Sequence, residues 1–199
     1  MLFLNANTDE AKKLYLDIKD KYPIVITRDL NKAKAWVKMK CQGNMRYGMI
    51  ASSDAGRLMA EGIFVTNKVN PAHWFLGNED DVRSSYMMEL VATEFDIQGL
   101  ELDYSVVAWD ANYRYVNGKW TYYKFKGKNW IDISKDKKDH SYEEQRRYLK
   151  NSYRVLLTRA RQGMAIFITA GSDEDKTRKS EWYDGIYNYL KEIGITELK

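Results

Sequence analysis

Short apolar runs alternate with amphipathic segments along the chain, and this alternation restricts the fold more than any other feature. The run PIVIT begins at Pro23, and MAIFIT begins at Met164. Runs of this length between helices are typical of strands buried in a parallel sheet. We therefore predict an α/β protein with a three-layer α/β/α architecture and a mostly parallel sheet. Strands are predicted over residues 23–27, 46–52, 86–93, 103–109 and 164–169, with a further short candidate at 62–66.

The amphipathic segments predict helices between these strands. A capping signal at Thr8 and a Ser-x-x-Glu signal at Ser141 mark two helix starts, and Gly163 is predicted to cap the end of the third helix. A sharp turn at Gly99 is predicted to separate the two central strands, because glycine tolerates the required backbone conformation. The predicted helices span residues 8–21, 29–40, 141–161 and 181–194.

Length and composition indicate one globular domain over residues 1–199. The 6 Trp, 15 Tyr and 6 Phe are far more than a disordered chain would contain. A single cysteine, Cys41, excludes a disulfide framework, and His73 and His140 lie too far apart for a zinc motif, so no metal site is predicted. No apolar run is long enough to cross a bilayer, and no leader is visible, so we expect no membrane partner and a cytoplasmic location.

Positive charge is concentrated in one part of the sequence. Residues 112–154 contain 12 Lys and Arg but five Asp and Glu, a local charge of +7 in a chain whose total is +4. A local excess of this kind is typical of a surface that faces a polyanion.

The first half of this basic segment predicts an inserted β-hairpin over residues 113–133, with Asn117-Gly118 as its turn, followed by a solvated linker at 134–140. Alternation places Trp120, Lys124 and Lys126 on one face, which suggests a platform where bases stack on the ring and lysines neutralise phosphates. In the alternative interpretation, the aromatic residues pack the hairpin onto the domain and the lysines only solvate it. The insertion as a whole covers about 112–140.

The phosphate-binding loop of most nucleotide motors, Gly-x-x-x-x-Gly-Lys-Ser/Thr, does not occur in residues 1–199. Asp110 follows the run SVVAW and could hold magnesium, but a capping aspartate at a strand end is the simpler interpretation. The carboxylates of Glu94, Asp96, Glu101 and Asp103 raise a metal-dependent nuclease as another alternative, although their spacing is loose.

Two arginines, Arg159 and Arg161, follow the predicted third helix and precede the last apolar run. In one interpretation they interact with the helix dipole. In the other, a guanidinium held there contacts a transferred phosphoryl group, because its planar donors match phosphate oxygens and its charge does not titrate.

Two strings resemble known motifs in sequence and in order. VATEFDIQGLELDYSVVAWD at 91–110 and YRVLLTRARQGMAIFI at 153–168 resemble motifs V and VI of superfamily-one helicases. More closely, EFDIQGLELDY followed by YRVLLTRA is similar to bacterial proteins of unknown function that share a helicase domain with the Schlafen proteins. The resemblance covers residues from about 22 to 170, and it implies a RecA-like lobe of the P-loop NTPase class.

The resemblance also implies roles for individual residues. Arg159 would be the arginine finger on the γ-phosphate, and Thr93 would contact the nucleic-acid backbone. Phe95 stands where motif V commonly has a histidine, so no polar relay through that position is implied. The residues that would face the nucleotide are Gln98, Gly99, Glu101 and Arg161.

Together these features predict the second motor lobe of an ATP-dependent DNA or RNA helicase or translocase. ATP and Mg²⁺ are expected only with a first lobe, in the same or a separate polypeptide, so this chain alone is expected to be inactive. Single-stranded DNA or RNA is the other expected partner. The alternative is a non-catalytic nucleic-acid-binding module whose helicase motifs are vestigial.

Overall fold

The computed structural model describes residues 2–5, 7–135 and 142–198. Short 3-10 turns occur at Leu2–Asn5, Gly56–Glu61 and Ser85–Met87. The α-helices are α1 (Thr8–Ile18), α2 (Leu30–Lys40), α3 (Pro71–Leu76), α4 (Glu143–Leu156) and α5 (Ser180–Glu192). The strands are β1 (Ile24–Thr27), β2 (Tyr47–Ala51), β3 (Val91–Thr93), β4 (Leu102–Trp109), β5 (Tyr113–Val116), β6 (Lys119–Lys126), β7 (Asn129–Asp132), β8 (Ala160–Ile168) and β9 (Thr196–Glu197).

The main sheet has six strands in the order β3-β2-β4-β8-β1-β9, and every neighbouring pair is parallel. Strands β4 and β8 occupy the centre, where Val106 pairs with Ala165 and Val107 with Ile166. All four side chains are fully buried, as expected for strands covered on both faces. The predicted α/β class and mostly parallel sheet are confirmed.

Helices cover both faces of this sheet and bury a separate apolar core on each. On one face Val37 of α2 and Leu58 of the 56–61 turn pack against alternate residues of β4 and β8. On the other face Leu156 of α4 and Ile186 of α5 belong to a larger core, which also includes Tyr15 of α1. The result is the predicted three-layer α/β/α arrangement. No helix among the described residues has the length and apolar character needed to span a membrane.

The inserted segment forms a small antiparallel sheet, β5-β6-β7, rather than a two-stranded hairpin. The predicted turn is correct: Asn117 and Gly118 both have positive φ, 49° and 75°, as a two-residue hairpin turn requires. Strand β7 adds a third strand through the pairs Phe125–Trp130 and Lys126–Asn129. The predicted linker falls largely on residues 136–140, which lie outside the described residues.

Several predicted helix ends are wrong by a few residues. Helix α1 is capped by Asn7 rather than Thr8, because Asn7 Oδ1 accepts from Glu10 N at 3.2 Å and Asn7 Nδ2 donates to Glu10 Oε2 at 2.8 Å. The predicted cap at Ser141 lies outside the described residues. Helix α4 ends at Leu156, and Gly163 lies inside β8 instead of capping the helix.

Gly163 has a packing role in place of the predicted one. A Cβ at this position would come within 2.6 Å of the Pro23 carbonyl oxygen and 2.9 Å of the Tyr104 ring. Glycine therefore lets the neighbouring strands approach closely.

Two predicted strands also differ from the structure. Residues 62–66 form a loop that buries Ile63 and Val65 in the core beside α2, so their apolar character reflects packing rather than a strand. Of residues 86–93, only Val91–Thr93 is a strand, because the chain first makes a 3-10 turn at Ser85–Met87 and passes through Met88 with a positive φ of 53°.

Helix α5 contacts the inserted sheet at Gly185, and this contact predicts an unusual stability effect. Alanine in a helix interior normally stabilises by about 1 kcal/mol over glycine. At position 185, however, a Cβ would overlap the backbone carbonyl oxygen of Tyr115 in β5. We therefore expect Gly185→Ala to destabilise the protein by about 1–3 kcal/mol in urea unfolding.

The control is Asn188→Ala at an exposed position of the same helix. This change alters helix propensity without meeting the inserted sheet, so we expect unchanged or slightly higher stability. A more stable Gly185→Ala variant would contradict the close contact between α5 and β5.

Candidate nucleotide edge and nucleic-acid groove

The pairing of β4 with β8 brings the two motif-like strings together at one edge of the sheet. Leu102 pairs with Ala160, and the Leu102 amide donates to the Arg159 carbonyl at 2.9 Å. Glu101 and Arg159 therefore lie side by side where the two central strands begin. We call this surface, formed by Glu101, Arg159 and Arg161, the nucleotide edge.

Arg159 is half-buried, and its side chain has no partner among the described residues. Its Nε atom is buried without a hydrogen-bond acceptor, and its guanidinium forms no ion pair in the described part of the chain. The preceding hydroxyl, that of Thr158, donates to the carbonyls of Arg154 at 2.8 Å and Val155 at 3.0 Å, which satisfies the end of α4. Arg159 thus presents a guanidinium that forms no ion pair in the described part of the chain.

Arg161 differs, because a local irregularity in the sheet directs it to a carboxylate. Between the pairs Leu102–Ala160 and Tyr104–Gly163, two residues of β8 lie opposite Asp103 alone. Asp103 accepts from Arg161 Nη2 at 2.9 Å and from Gln162 Nε2 at 3.0 Å. It also accepts from the Arg46 amide at 2.7 Å. Arg161 is therefore held within the chain.

These bonds determine the ionisation of Asp103. Burial acts to raise its pKa, but the hydrogen bonds from the Arg46 amide, Arg161 and Gln162 outweigh burial and hold the pKa below the ordinary aspartate value. The carboxylate is the acceptor that keeps Arg161 in place at the nucleotide edge.

Gly99 has the positive φ expected of a sharp turn, 76°. A Cβ there would meet no atom within 4 Å, so the backbone conformation and not crowding within the chain requires glycine. Gln98 is exposed on the same turn. The resemblance implies that Gln98, Gly99 and Glu101 face a nucleotide together. In the structure the turn leads from Gln98 through Gly99 to Glu101 at the nucleotide edge, and their contact with a nucleotide stays a prediction.

Thr93 lies at the opposite, carboxyl end of β3, and its side chain is 7% exposed. The hydroxyl donates to Asp96 Oδ2 at 2.7 Å, and the same oxygen accepts from the Thr93 amide at 2.8 Å. Thr93 thereby closes the tight turn that carries Phe95. Its hydroxyl is engaged within the chain, whereas the Phe95 ring is 67% exposed.

The carboxylates considered for a nuclease do not converge. Glu94 accepts from the Ser53 amide at 2.8 Å and from its hydroxyl at 2.7 Å, while Asp96 caps the Thr93 turn. Asp103 lies with Arg161 near the other end of the sheet. In the described ranges, no group of three or more potential ligands could hold a metal ion. A two-metal centre built from these carboxylates is therefore not supported.

Asp110 is completely buried, which disagrees with a role as a magnesium ligand. Burial raises its pKa, and hydrogen bonds from Ala111 N, Arg57 N and Tyr183 Oη partly offset this rise. The distances are 2.7, 2.9 and 3.0 Å. Asp110 therefore joins β4 to the 56–61 turn and α5, which fits the simpler interpretation of a capping aspartate.

A groove of about 680 Å³ runs between α4, the turn after β3 and the inserted sheet. Its lining includes side chains that are otherwise buried, namely those of Leu149 and Ser152 of α4 and of Ile133 after β7. Phe95 and Tyr148 line it with side chains that are 67% and 63% exposed. We call this feature the α4 groove.

The predicted stacking role of Trp120 is wrong. Its side chain is only 8% exposed, and its ring stacks on Tyr113 at 4.6 Å and on Trp109 at 5.5 Å. The pairs Tyr113–Tyr122 and Tyr115–Trp120 collect four aromatic rings on one face of the inserted sheet, and that face packs onto the core. The alternative in which the aromatic residues anchor the insertion is correct for Trp120.

The two lysines of that predicted platform are exposed. Lys124 lines the α4 groove, and Lys126 lies two residues further along the same strand. Their contact with nucleic acid stays a prediction.

Arg114 is a second departure from the predicted basic surface. It is 2% exposed, and its guanidinium lies over the rings of Tyr123 and Trp182, each at 3.8 Å. Burial lowers its pKa to about 10. Arg114 therefore joins the inserted sheet to α5 and does not face a polyanion.

Sequence analysis missed the two exposed aromatic residues of the groove. In the sequence Phe95 differs from the histidine common in motif V, and Tyr148 lies inside the predicted helix 141–161. The usable signal was the helical spacing of Gln145, Tyr148, Leu149 and Ser152, which places these residues along one side of α4.

The fold and the arrangement of these residues define a class. A parallel six-stranded sheet with helices on both faces, whose central strands follow the Gln-Gly-Leu-Glu turn and the Thr-Arg-Ala string, is consistent with a RecA-like α/β/α domain. The sequence matches the family described as Schlafen group 3, DNA/RNA helicase domain, over residues 2–170, and the chain belongs to this family. The family supports a helicase-like function related to nucleic acid. Searches of curated proteins and of solved structures find no match.

The hydrogen bonds to Asp103 predict a pH-dependent contribution to stability. Because the pKa of this carboxyl is lower in the native than in the unfolded protein, its contribution is present above the unfolded value of about 3.9 and is lost as pH falls through the native pKa. We expect Asp103→Asn to lower the free energy of unfolding by about 2 kcal/mol at pH 7, the size typical of hydrogen bonds to a charged group. The difference from wild type should shrink as the pH falls from 5 to 3.

Urea unfolding at pH 7, 5 and 3 measures this effect, with Asp17→Asn at an exposed position of α1 as the control. An equal loss of stability at all three pH values would show that ionisation of Asp103 is not its source.

Proposed function

We propose that residues 1–199 act as the second motor lobe of an ATP-dependent helicase or translocase. In this role, Arg159 contacts the γ-phosphate of a nucleotide held by a first lobe. The observation that carries the proposal is the contrast between the two arginines of the nucleotide edge. Arg161 is bound to Asp103 at 2.9 Å, whereas Arg159 has no ion pair in the described part of the chain and a buried Nε without an acceptor.

A guanidinium without an ion pair suits phosphoryl transfer for electrostatic reasons. Charge develops on the transferred group and its leaving oxygen, and a preorganised arginine stabilises that charge without needing to reorganise. Its planar donors match phosphate oxygens, and its charge persists at any physiological pH. Neighbouring Glu101 and the exposed turn at Gly99 complete the surface that would face the nucleotide.

ATP and Mg²⁺ would be held mainly by the other lobe. Residues 1–199 contain no Gly-x-x-x-x-Gly-Lys-Ser/Thr loop, and Asp110 is buried under hydrogen bonds. The proposal therefore assigns phosphate and magnesium binding to a first lobe, in the same polypeptide or in a separate one. ATP with Mg²⁺ supplies the phosphoryl group, and this chain supplies the charge of Arg159.

A non-catalytic nucleic-acid-binding module is the second candidate, and the α4 groove favours it. The groove exposes Phe95 and Tyr148 beside Lys124 without involving the nucleotide edge. Such a surface could hold a strand whether or not a nucleotide is hydrolysed. Activity of Arg159 variants separates the two candidates.

The chain alone should not hydrolyse ATP. Because the proposed site is completed by a first lobe, we expect purified residues 1–199 to release no phosphate above background, with or without single-stranded DNA or RNA. A phosphate-release assay with millimolar ATP and Mg²⁺ measures this. Turnover that copurifies with the folded chain through successive columns and disappears in Arg159→Ala would contradict the divided site.

Arg159 should matter for turnover and Arg161 much less. In a protein or complex that contains both lobes, we expect Arg159→Ala to reduce kcat by roughly 10³–10⁵ while nucleotide affinity changes far less, because an arginine finger acts mainly in the transition state. Steady-state hydrolysis gives kcat, and binding of a nonhydrolysable nucleotide gives affinity.

Arg161→Ala is the matched control, since it removes the same side chain two residues away. We expect this variant to be less stable, because Asp103 loses its ion pair with Arg161, and to show little change in kcat. Equal losses of kcat in the two variants, or a larger loss for Arg161→Ala, would contradict the assignment of Arg159.

A further inference from the structure

Phe95 and Tyr148 differ from the aromatic residues that the chain uses for packing. Trp109, Tyr113 and Trp120 contact one another in a buried cluster, with ring centroids 4.6–6.1 Å apart. Phe95 and Tyr148 are 67% and 63% exposed, and neither contacts another ring among the described residues. Their faces are therefore available to a planar ligand.

The groove that contains these rings has the size and shape of a short channel. Its α4 wall extends from Gln145 to Val155, which corresponds to about 15 Å along a helix axis. Its volume of about 680 Å³ lies within the usual range of ligand sites, about 300–1,000 Å³. The amides of Gln98 and Asn151 also line it, and amides can pair with the edges of nucleobases.

The charges around the groove are unevenly placed. Asp54 and Glu94 line the wall formed after β2 and β3, while Lys124 lines the end formed by the inserted sheet. Carboxylates along one wall repel phosphate groups. A nucleoside triphosphate would therefore fit this groove poorly. Neutral bases can lie in this channel while the phosphates stay at the rim near Lys124 and Lys126.

We infer that the α4 groove binds unstacked bases of a single-stranded nucleic acid, with Phe95 and Tyr148 as the stacking surfaces and Lys124 as a phosphate contact at the rim. This inference rests on the proposed role of the chain in acting on nucleic acid, and it assigns that role to a specific surface. Duplex fits poorly, because paired bases expose no faces that the two rings could stack on. The groove replaces Trp120 as the site of base stacking.

The test measures binding of the full 199-residue chain to fluorescein-labelled dT15 and rU15 by anisotropy, at several salt concentrations. We expect Phe95→Ala and Tyr148→Ala each to weaken binding about 5- to 100-fold, corresponding to the loss of about one stacked base. The slope of log affinity against log salt should not change, because no charge is removed. Lys124→Ala should instead reduce that slope by about 0.7, the value for one phosphate contact on a single strand.

Phe64→Ala is the matched control, because Phe64 is 45% exposed and does not line the groove. It should bind like wild type, and Phe95→Trp should retain tight binding. Both groove rings are exposed, so their replacement should leave the thermal unfolding midpoint almost unchanged. Cross-linking of 5-iodouracil in the strand should map to Phe95 or Tyr148 in the wild-type chain.

These outcomes distinguish failure of the groove assignment from failure of the helicase-lobe proposal. Wild-type binding of dT15 or rU15 that is unaffected in the Phe95→Ala, Tyr148→Ala double variant would overturn the groove while leaving the helicase-lobe proposal intact. Equal binding of duplex and single strands would also overturn it. If the wild-type chain binds neither oligonucleotide, the groove assignment is wrong, and the Arg159 kinetics then decide the proposed function by themselves.

Discussion

The parallel pairing of β4 with β8 is the interaction on which the rest of the molecule depends. It runs from Leu102–Ala160 to Trp109–Ile168 through the centre of the sheet, and the side chains between are almost all buried. Because the two strands begin together, the residues just before them, Glu101 and Arg159, are placed next to each other. The irregularity opposite Asp103 then turns Arg161 and Gln162 toward one carboxylate. A single pairing therefore gives two nearby arginines different environments.

The carboxyl end of β4 anchors the inserted sheet. Trp109 packs on Tyr113, Trp120 and Tyr153, and its indole nitrogen donates to the Tyr113 carbonyl at 2.9 Å. Close approach of α5 at Gly185 and the stacking of Arg114 on Trp182 hold the insertion from the other side. The insertion thus packs onto the core. This attachment places β6 and the residues after β7 at one end of the α4 groove.

Apolar periodicity was sufficient to predict the central strands of the sheet and the helices α1, α2, α4 and α5, because burial on two faces leaves a strong pattern in the sequence. It did not predict the short elements α3 and β9. The pattern gave wrong predictions where apolar residues do not form a strand and where aromatic residues do not form a binding surface. Ile63 and Val65 are apolar because a loop packs into the core, and the aromatic residues around Trp120 are dense because they anchor an insertion. The solvent exposure of individual side chains could not be predicted from residue type either, because Arg114 is a buried cation and Phe95 is an exposed ring. Those distinctions depend on contacts between segments far apart in sequence, which no local pattern records.

The α4 groove and the nucleotide edge are joined by the two chain segments that form the groove. Helix α4 carries Tyr148 in the groove and ends one turn before Arg159, with Val155 lining the groove's far end. The turn after β3 carries Phe95 and Gln98 and continues through Gly99 to Glu101. A strand that displaced either wall would therefore act on a segment leading directly to Glu101 or Arg159. Energetic coupling between two sites can pass through contiguous packed elements of this kind when those elements have two alternative arrangements. The central pairing holds the Glu101 and Arg159 ends of the two segments next to each other.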